Sequence, residues 1–405
     1  MVDFSLKLKE MKNTIVSFIF FLFVISTLQA QKYTELAATP PMGWSSWNYF
    51  LCDGLNEKVI KEMADAMVSS GMKDAGYQYI NIDDCWQISR DANGNIVADS
   101  VKFPSGIKAV ADYVHSRGLK FGIYTCAGLQ TCAKRPGSRG YEYQDMRTYA
   151  AWDVDYVKID WCNTDNLDAP SSYKMFSDAI RKAGRPMILS ICEWGVTKPW
   201  KWAKDIGHSW RTTGDIADNF DHGLYADDGK VWGGGVLVTL DMQRTLQPYS
   251  GKGQWNDMDM LQVGNGGMTF NQNRSHFSLW AMMCSPLMAG NDLRKMTDST
   301  KSILTNKAII ALNQDALGKQ AEKIIDEGRF QIFRKELSNG EVALCFFNRS
   351  ELRVTKKIDW QKLNISNGEK FTDLWTGKQQ LISTVAETSI EGHGVWVIRI
   401  NSSKM

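Results

Sequence analysis

The sequence predicts an α/β protein in two parts: a (β/α)8 TIM barrel, then a small antiparallel β domain of the sandwich type. Three observations predict it. From residue 40 to about 315, short apolar runs alternate with amphipathic segments, the rhythm of βα units whose parallel sheet is covered by helices. Counting Met42–Trp47 as the first, the runs number eight, which is the number that closes such a barrel. After about residue 316 the pattern changes to strand-type alternation. An open doubly wound sheet is the rival architecture. It would carry a glycine-rich phosphate loop after its first strand, and the sequence has none. A length of 405 residues suits one large domain with a smaller one.

Residues 1–30 are set apart from the fold. Lys12 precedes an apolar run, Ile15 to Ile25, which exits through Ser26-Thr27-Leu28-Gln29-Ala30. A basic start, a short apolar core and a small residue at the exit form the pattern of a secretory signal peptide. The run is short for a membrane span of about 20 residues; a retained anchor helix is the alternative. Met1–Glu10 reads as an extra leader, with Met11 as an alternative start. The expected location is secreted or periplasmic, where disulfides are permitted.

The barrel is expected over 31–315. After Met42–Trp47 comes a helix at Asn56–Ala75, with Val59, Ile60, Met63, Ala66 and Met67 at helical spacing. A strand, Gly76–Asp84, leads to a helix at Ile107–Arg117 and a strand at Leu119–Thr125. Helix Tyr143–Ala151, strand Val154–Asp160, helix Ser172–Ala183 and strand Pro186–Cys192 continue the series. Strands His208–Gly214 and Gln254–Met260, helix Arg274–Met283 and strand Leu287–Ala289 complete it. In the tail, 316–405, strands are expected at Phe330–Arg334, Val342–Asn348, Val354–Ile358 and Val395–Ile400. Asn339-Gly340 and Thr376-Gly377 are its turn signals.

Hydrophobic residues make up 43% and charged residues 23%, with a formal net charge of +2. That balance gives no reason to expect nucleic acid or an acidic membrane as a partner. Fifteen tryptophans are many for this length; indoles stack on sugar faces, and they also fill large cores. The eight cysteines are too sparse for a disulfide-held scaffold, and no CxxC or His-x-x-x-His pair points to a metal. Neither a metal nor a cofactor is expected, and a homo-oligomer is left open.

Chemistry in a TIM barrel sits at the C-terminal ends of the strands. Here those ends carry Asp83-Asp84, Asp160, Glu193, Asp215, and Asp257 with Asp259. One such acid reads as a helix cap or an ion-pair partner. Five strand ends agreeing point instead to a shared site, because buried acids are rare unless paired or functional. A ring of acids without metal-type histidines suits sugar recognition and glycosidic chemistry. A carboxylate site for Mg2+ or Ca2+ is the alternative.

The motifs resemble glycoside hydrolase family twenty-seven, the α-galactosidases, along nearly all of residues 40–400. They include Pro41-Met42-Gly43-Trp44, Ile82-Asp83-Asp84-Cys85-Trp86, Phe121-Gly122-Ile123-Tyr124 and Pro136-Gly137-Ser138. Val157-Lys158-Ile159-Asp160 with Cys162, Cys192-Glu193-Trp194 and Trp210-Arg211-Thr212-Thr213-Gly214-Asp215 follow, then Trp255-Asn256-Asp257-Met258-Asp259-Met260 and Ser285-Pro286-Leu287-Met288. The resemblance implies a retaining enzyme with Asp160 as nucleophile and Asp215 as general acid/base. It implies that Asp83 and Asp84 hold galactose hydroxyls 4 and 6, that Trp44 forms an apolar wall, and that Arg211 helps bind hydroxyls. Tyr124, Cys192, Trp194, Asp259 and Met260 would complete the pocket. Independently, Lys158 lies two residues before Asp160, on the same strand face, where an ammonium favours the ionised carboxylate. Arg211 would share a face with Asp215 if that strand stays regular.

Two relatives of the same family compete, an α-N-acetylgalactosaminidase and a β-L-arabinopyranosidase. Cys192 with Trp194 argues against the first, and the presence of both Asp83 and Asp84 against the second. An inactive sugar-binding barrel is the reading from another class. The expected disulfides are Cys52–Cys85, tying the loop after strand one to the end of strand two, and Cys132–Cys162, bracing the loop beside Asp160. Eight free thiols would be the alternative.

Overall fold

Eight short parallel strands lie side by side in the computed structural model, which describes residues 32–225, 229–383 and 386–400. The predicted signal segment falls outside the described residues. The strands are β1 Met42–Ser45, β2 Tyr79–Asn81, β3 Lys120–Cys126, β4 Tyr156–Asp160, β5 Ile188–Cys192, β6 Ser209–Arg211, β7 Trp255–Asp257 and β8 Leu287–Ala289. Their order is β7-β6-β5-β4-β3-β2-β1-β8, every pairing parallel. A parallel bridge from Leu261 to Ala289, just past β7, brings the two edges together. The predicted TIM barrel is thus the observed one.

Helices α1 Glu57–Ser69, α2 Gly106–Ser116, α3 Glu142–Ala151, α4 Ala169–Ala183, α5 Val236–Gln243 and α6 Phe270–Met282 cover the strands. Helix α1 starts where Asn56 accepts the Val59 N–H, and it stops at Ser69, just before Gly71 at positive φ. Helix α6 starts four residues earlier than its apolar spacing suggests. Thr269 and Gln272 form a reciprocal capping box there. Helix α5 lacks a polar face: Val236, Leu237, Thr239, Leu240 and Gln243 are all buried.

Several predicted strands are too long at their C-terminal ends. β2 stops at Asn81 rather than Asp84, β6 at Arg211 rather than Gly214, and β7 at Asp257 rather than Met260. Asp83, Asp84, Asp215 and Asp259 therefore sit in the loops that leave the strands, while Asp160 and Asp257 end β4 and β7. Two helices, α7 Asp298–Leu304 and α8 Lys307–Asn313, lead out of the barrel.

Next comes a six-stranded sheet of β9 Glu322–Asp326, β10 Phe330–Glu336, β11 Val342–Asn348, β13 Lys370–Asp373, β14 Gln379–Leu381 and β16 Val395–Ile400. A two-stranded layer pairs β12 Val354–Ile358 with β15 Ala386–Ile390. Alternation divides the sheet's side chains between two cores. Phe333, Ala343, Cys345, Phe347 and Val397 join the core of the barrel, while Phe330, Ile332, Leu344, Phe346 and Ile398 form a separate one.

Both expected disulfides are present, Cys52–Cys85 and Cys132–Cys162, with Cα separations of 5.2 and 5.1 Å. Cys126, Cys192, Cys284 and Cys345 are buried thiols. Among the described residues no helix is long and apolar enough to cross a membrane.

Candidate active site

The strand ends and the loops that leave them bring Asp83, Asp84, Tyr124, Lys158, Asp160, Trp194, Arg211, Asp215, Asp259 and Met260 around one pocket at the C-terminal mouth of the barrel. Trp47, Asn48, Cys132 and Ile216 share its wall. Below it, inside the barrel, a second cavity is lined by Cys192, Asp257, Ser45 and Asn81 together with Lys158 and Arg211.

Asp83 and Asp84 follow the last residue of β2 and are each held by the local backbone. Asp83 accepts from Lys158 Nζ at 2.9 Å and from the Asp84 N–H at 2.9 Å, while its own N–H donates to Ser46 Oγ. Asp84 accepts from the N–H groups of Cys85 at 2.7 Å and Ala133 at 2.9 Å. Burial still pushes its carboxyl up. Cys85, next in line, takes φ 75°, so the disulfide to Cys52 sits on a strained turn that aims both acids at the mouth.

Asp160 ends β4. Burial pushes its carboxyl up to about 6, Lys158 works against that, and the charge of Asp215 reinforces it. One carboxylate oxygen accepts the Trp161 N–H at 2.9 Å. Lys158 is held charged despite burial because Asp83, Asp160 and Asp259 surround it. Its ammonium also lies 5.3 Å from the centroid of the Tyr124 ring.

On the opposite wall, Arg211 Nη2 reaches Asp215 Oδ1 at 3.1 Å and Asp259 Oδ2 at 3.0 Å. The expected sharing of a strand face does not account for the first contact. β6 ends at Arg211, and the chain turns back through Thr213 and Gly214, whose carbonyls accept from the same nitrogen at 3.1 and 2.6 Å. Asp259 takes φ 74° and accepts the Ile216 N–H at 2.8 Å, which fixes the loop that carries Asp215. The Asp215 side chain is 47% exposed, against 9% for Asp259. Asp215 is therefore the carboxylate on this wall that a molecule entering from solvent can reach.

The reading of Trp44 as a pocket wall is corrected. Trp44 is fully buried, packs against Phe50 and donates its indole N–H to the Asn291 carbonyl at 2.7 Å. In β1 its parity is opposite to that of Ser45, which faces the barrel interior, so Trp44 faces the helices. The indole on the pocket belongs to Trp47, beyond the strand. Sequence reasoning missed it and its neighbour Asn48, although period-two alternation along β1 would have sent Trp44 outward.

Glu193 does not line the pocket. It is buried with one oxygen accepting the Thr197 N–H at 2.6 Å, and burial pushes its carboxyl up to about 7. It braces the loop on which Trp194, at φ 55°, meets the Trp232 ring edge-on at 5.9 Å. Cys192 sits behind, its sulfur 3.7 Å from Arg211 Nη1. Among the described residues the ligand-type side chains close enough to share an ion are Cys132, Asp160 and Cys162, and the two sulfurs are bonded to each other.

Residues 39–315 match the family described as α-galactosidase A, and 327–400 match the α-galactosidase C-terminal β-sandwich domain. The α-galactosidase A of Cellvibrio japonicus is 54% identical, over 94% of this chain and 96% of its own length. The crystal structure of α-galactosidase I from Mortierella vinacea superimposes with a TM-score of 0.87 at 37% identity, covering 91% of this chain and 98% of the other. That of the Saccharomyces cerevisiae α-galactosidase with raffinose gives 0.85 at 29% identity, covering 91% and 99%. Motifs, fold and pocket agree with these likenesses: the chain belongs to the α-galactosidase A, or melibiase, family.

Proposed function

We propose that the chain is an exported retaining α-galactosidase in which Asp160 is the nucleophile and Asp215 the general acid/base. One observation carries the reading: a buried carboxylate and a solvent-reachable one line a single pocket from different strands, each beside its own fixed cation. Two carboxyl groups with unlike surroundings are what double displacement at a sugar requires.

In the first step the Asp215 proton passes to the glycosidic oxygen as Asp160 attacks the anomeric carbon. The leaving alcohol departs, and a β-linked glycosyl ester remains on Asp160. In the second, Asp215 takes a proton from water, whose oxygen attacks the same carbon and frees Asp160. Two inversions restore the α configuration. Lys158 lowers the cost of the buried Asp160 charge and holds Asp83 in place.

Asp83 and Asp84, aimed into the mouth, suit the 4- and 6-hydroxyls of galactose, with Trp47 as the apolar wall in place of Trp44. The site then takes terminal α-galactose from melibiose, raffinose-type oligosaccharides or galactomannan side chains. Cys192 and Trp194 fill the space an acetamido group would need, which supports a galactosidase over an N-acetylgalactosaminidase. The product anomer tests the mechanism: α-galactose should be seen first by proton NMR, before mutarotation, and early β-galactose would refute it. Rates on p-nitrophenyl α-galactoside, α-N-acetylgalactosaminide and β-L-arabinopyranoside test the sugar, the first being expected to lead.

A further inference from the structure

Away from the mouth, a cysteine and a lysine meet in the seam between the barrel and the β domain. Cys284 sits on the turn from α6 into β8, at φ 53°, and Lys335 lies on β10. Both are buried, at 0% and 1% exposure. Lys335 Nζ is 2.8 Å from Cys284 Sγ, and it also donates to the Lys319 carbonyl, toward which the thiol points from 3.5 Å.

Among the described residues no carboxylate oxygen lies within ion-pair distance of Lys335 Nζ. Its chain neighbour Glu336 points outward and pairs with Lys319 Nζ at 2.6 Å instead. The contrast with Lys158 is direct, since that buried ammonium has a carboxylate at 2.9 Å. Burying an amine against a thiol and one carbonyl is costly packing. A thiolate–ammonium pair would offset that cost, but burial pushes the Cys284 thiol up, with the Lys335 charge opposing. What the contact offers is a nitrogen and a sulfur at the separation that one inserted oxygen atom would span.

We propose that Cys284 and Lys335 form a modification site at which dioxygen is fixed as a covalent N–O–S bridge joining the barrel to the β domain. The S–H bond of Cys284 and one N–H bond of Lys335 break, and S–O and O–N bonds form. One oxygen atom stays in the bridge. The other leaves as water with the thiol hydrogen and one amine hydrogen. Sulfur and nitrogen each give up two electrons, and dioxygen takes all four. Such a bridge is at the reversible end of cysteine oxidation and is opened by thiols. It would lock the end of α6 to β10, which the two disulfides, both at the mouth of the barrel, leave unlinked.

Peptide mapping of the full chain tests it. The protein is kept in air-saturated buffer, denatured without reductant and digested at sites other than lysine. A Cys284 peptide joined to a Lys335 peptide is expected, heavier than their sum by one oxygen less two hydrogens. Dithiothreitol should separate the pair, and Cys284→Ser and Lys335→Arg should each lack it. Recovery of Cys126, Cys192, Cys284 and Cys345 as four alkylatable thiols after prolonged exposure would overturn the proposal. So would oxygen added to Cys284 without a link. A link that survives the thiol, as a sulfinamide does, would overturn it as well.

Discussion

The two ends of the barrel are built from the same eight strands and solve opposite problems. At the mouth, Asp83, Asp84, Asp160, Asp215 and Asp259 crowd around two cations, Lys158 and Arg211. Cys85, Trp194 and Asp259 there adopt left-handed backbone at φ 75°, 55° and 74°, at a cost of about 1–2 kcal/mol each. At the closed end the acids are matched by cations, Asp153 and Asp155 both pairing with Arg185, and further polar groups bond to the backbone. Lys32 donates to the carbonyls of Gly207 at 2.9 Å and Gly253 at 2.7 Å, Trp255 to Ala37 at 2.8 Å, and Gln314 to Pro40 at 2.9 Å. His208 there is held between the Leu189 N–H and the Tyr33 carbonyl. The difference teaches where stability is spent: the mouth keeps unbalanced charge for a ligand, and the closed end supplies the paired contacts that tolerate it.

Changes at the mouth should therefore reduce activity far more than stability. Asp160→Asn keeps the shape of the side chain, removes the proposed nucleophile and relieves a buried charge. Turnover should fall by more than about a thousandfold, with a Tm equal to or above that of the parent. Substantial activity in a preparation verified by mass would remove Asp160 from its role. Asp84→Ala deletes one proposed charge-assisted partner of the sugar, worth about 1.5–3 kcal/mol, so kcat/KM should drop roughly tenfold to a hundredfold. Near-normal efficiency in a folded variant would contradict the assignment. The third effect is a pH profile. As the proposed nucleophile, Asp160 would attack only when ionised, and burial raises it to about 6. Hence kcat/KM should fall toward about tenfold per pH unit below that value. A profile flat down to pH 4 would show that the charge is held by other means.

How much of this contrast was legible in the sequence follows from what each residue has to satisfy. The βα rhythm was readable because α1, α2 and α4 each bury one face. Helix α5 was missed because its exposed side is as apolar as its buried one, so no period of 3.6 emerges from Val236-Leu237-Val238-Thr239-Leu240. The acids at the strand ends stood out because carboxylates are rare beside apolar runs. Which indole lines the pocket did not, since it depends on Trp44 lying in β1 on the face away from the barrel interior and on the strand ending before Trp47. The Arg211–Asp215 contact arises from a turn, where alternation no longer applies. The closed end was invisible: Lys32, Tyr33 and Ala37 find partners more than 140 positions away in sequence, and no local pattern encodes them.

The smallest expected effect sharpens the comparison most, because the two ends should respond to pH with opposite signs. Burial raises Asp257, at the end of β7, from 3.8 to about 6, with Arg211 opposing and Asp259 reinforcing. Between those values the folded chain holds a proton that the unfolded chain has lost, so this group lowers stability as pH rises, and its full cost is present above about 6. Burial lowers His208 from 6.5 to about 4, with the charge of Lys32 further opposing protonation. Its Nδ1 must stay unprotonated to accept the Leu189 N–H at 3.0 Å, while Nε2–H donates to the Tyr33 carbonyl at 2.9 Å. Here the unfolded chain binds the extra proton. The contribution of His208 is complete above about 6.5 and is lost as pH falls through 4. Each shift is worth up to about 3 kcal/mol, and in the parent the two slopes partly cancel. Asp257→Asn should raise the denaturation midpoint at pH 7.5 and leave it unchanged at pH 4. His208→Gln should cost about 1 kcal/mol at pH 7.5 and lose less than the parent on acidification. Urea denaturation at both pH values reads both effects. Equal shifts at the two pH values would mean that neither group titrates with folding, and that the opposition between the ends is not electrostatic.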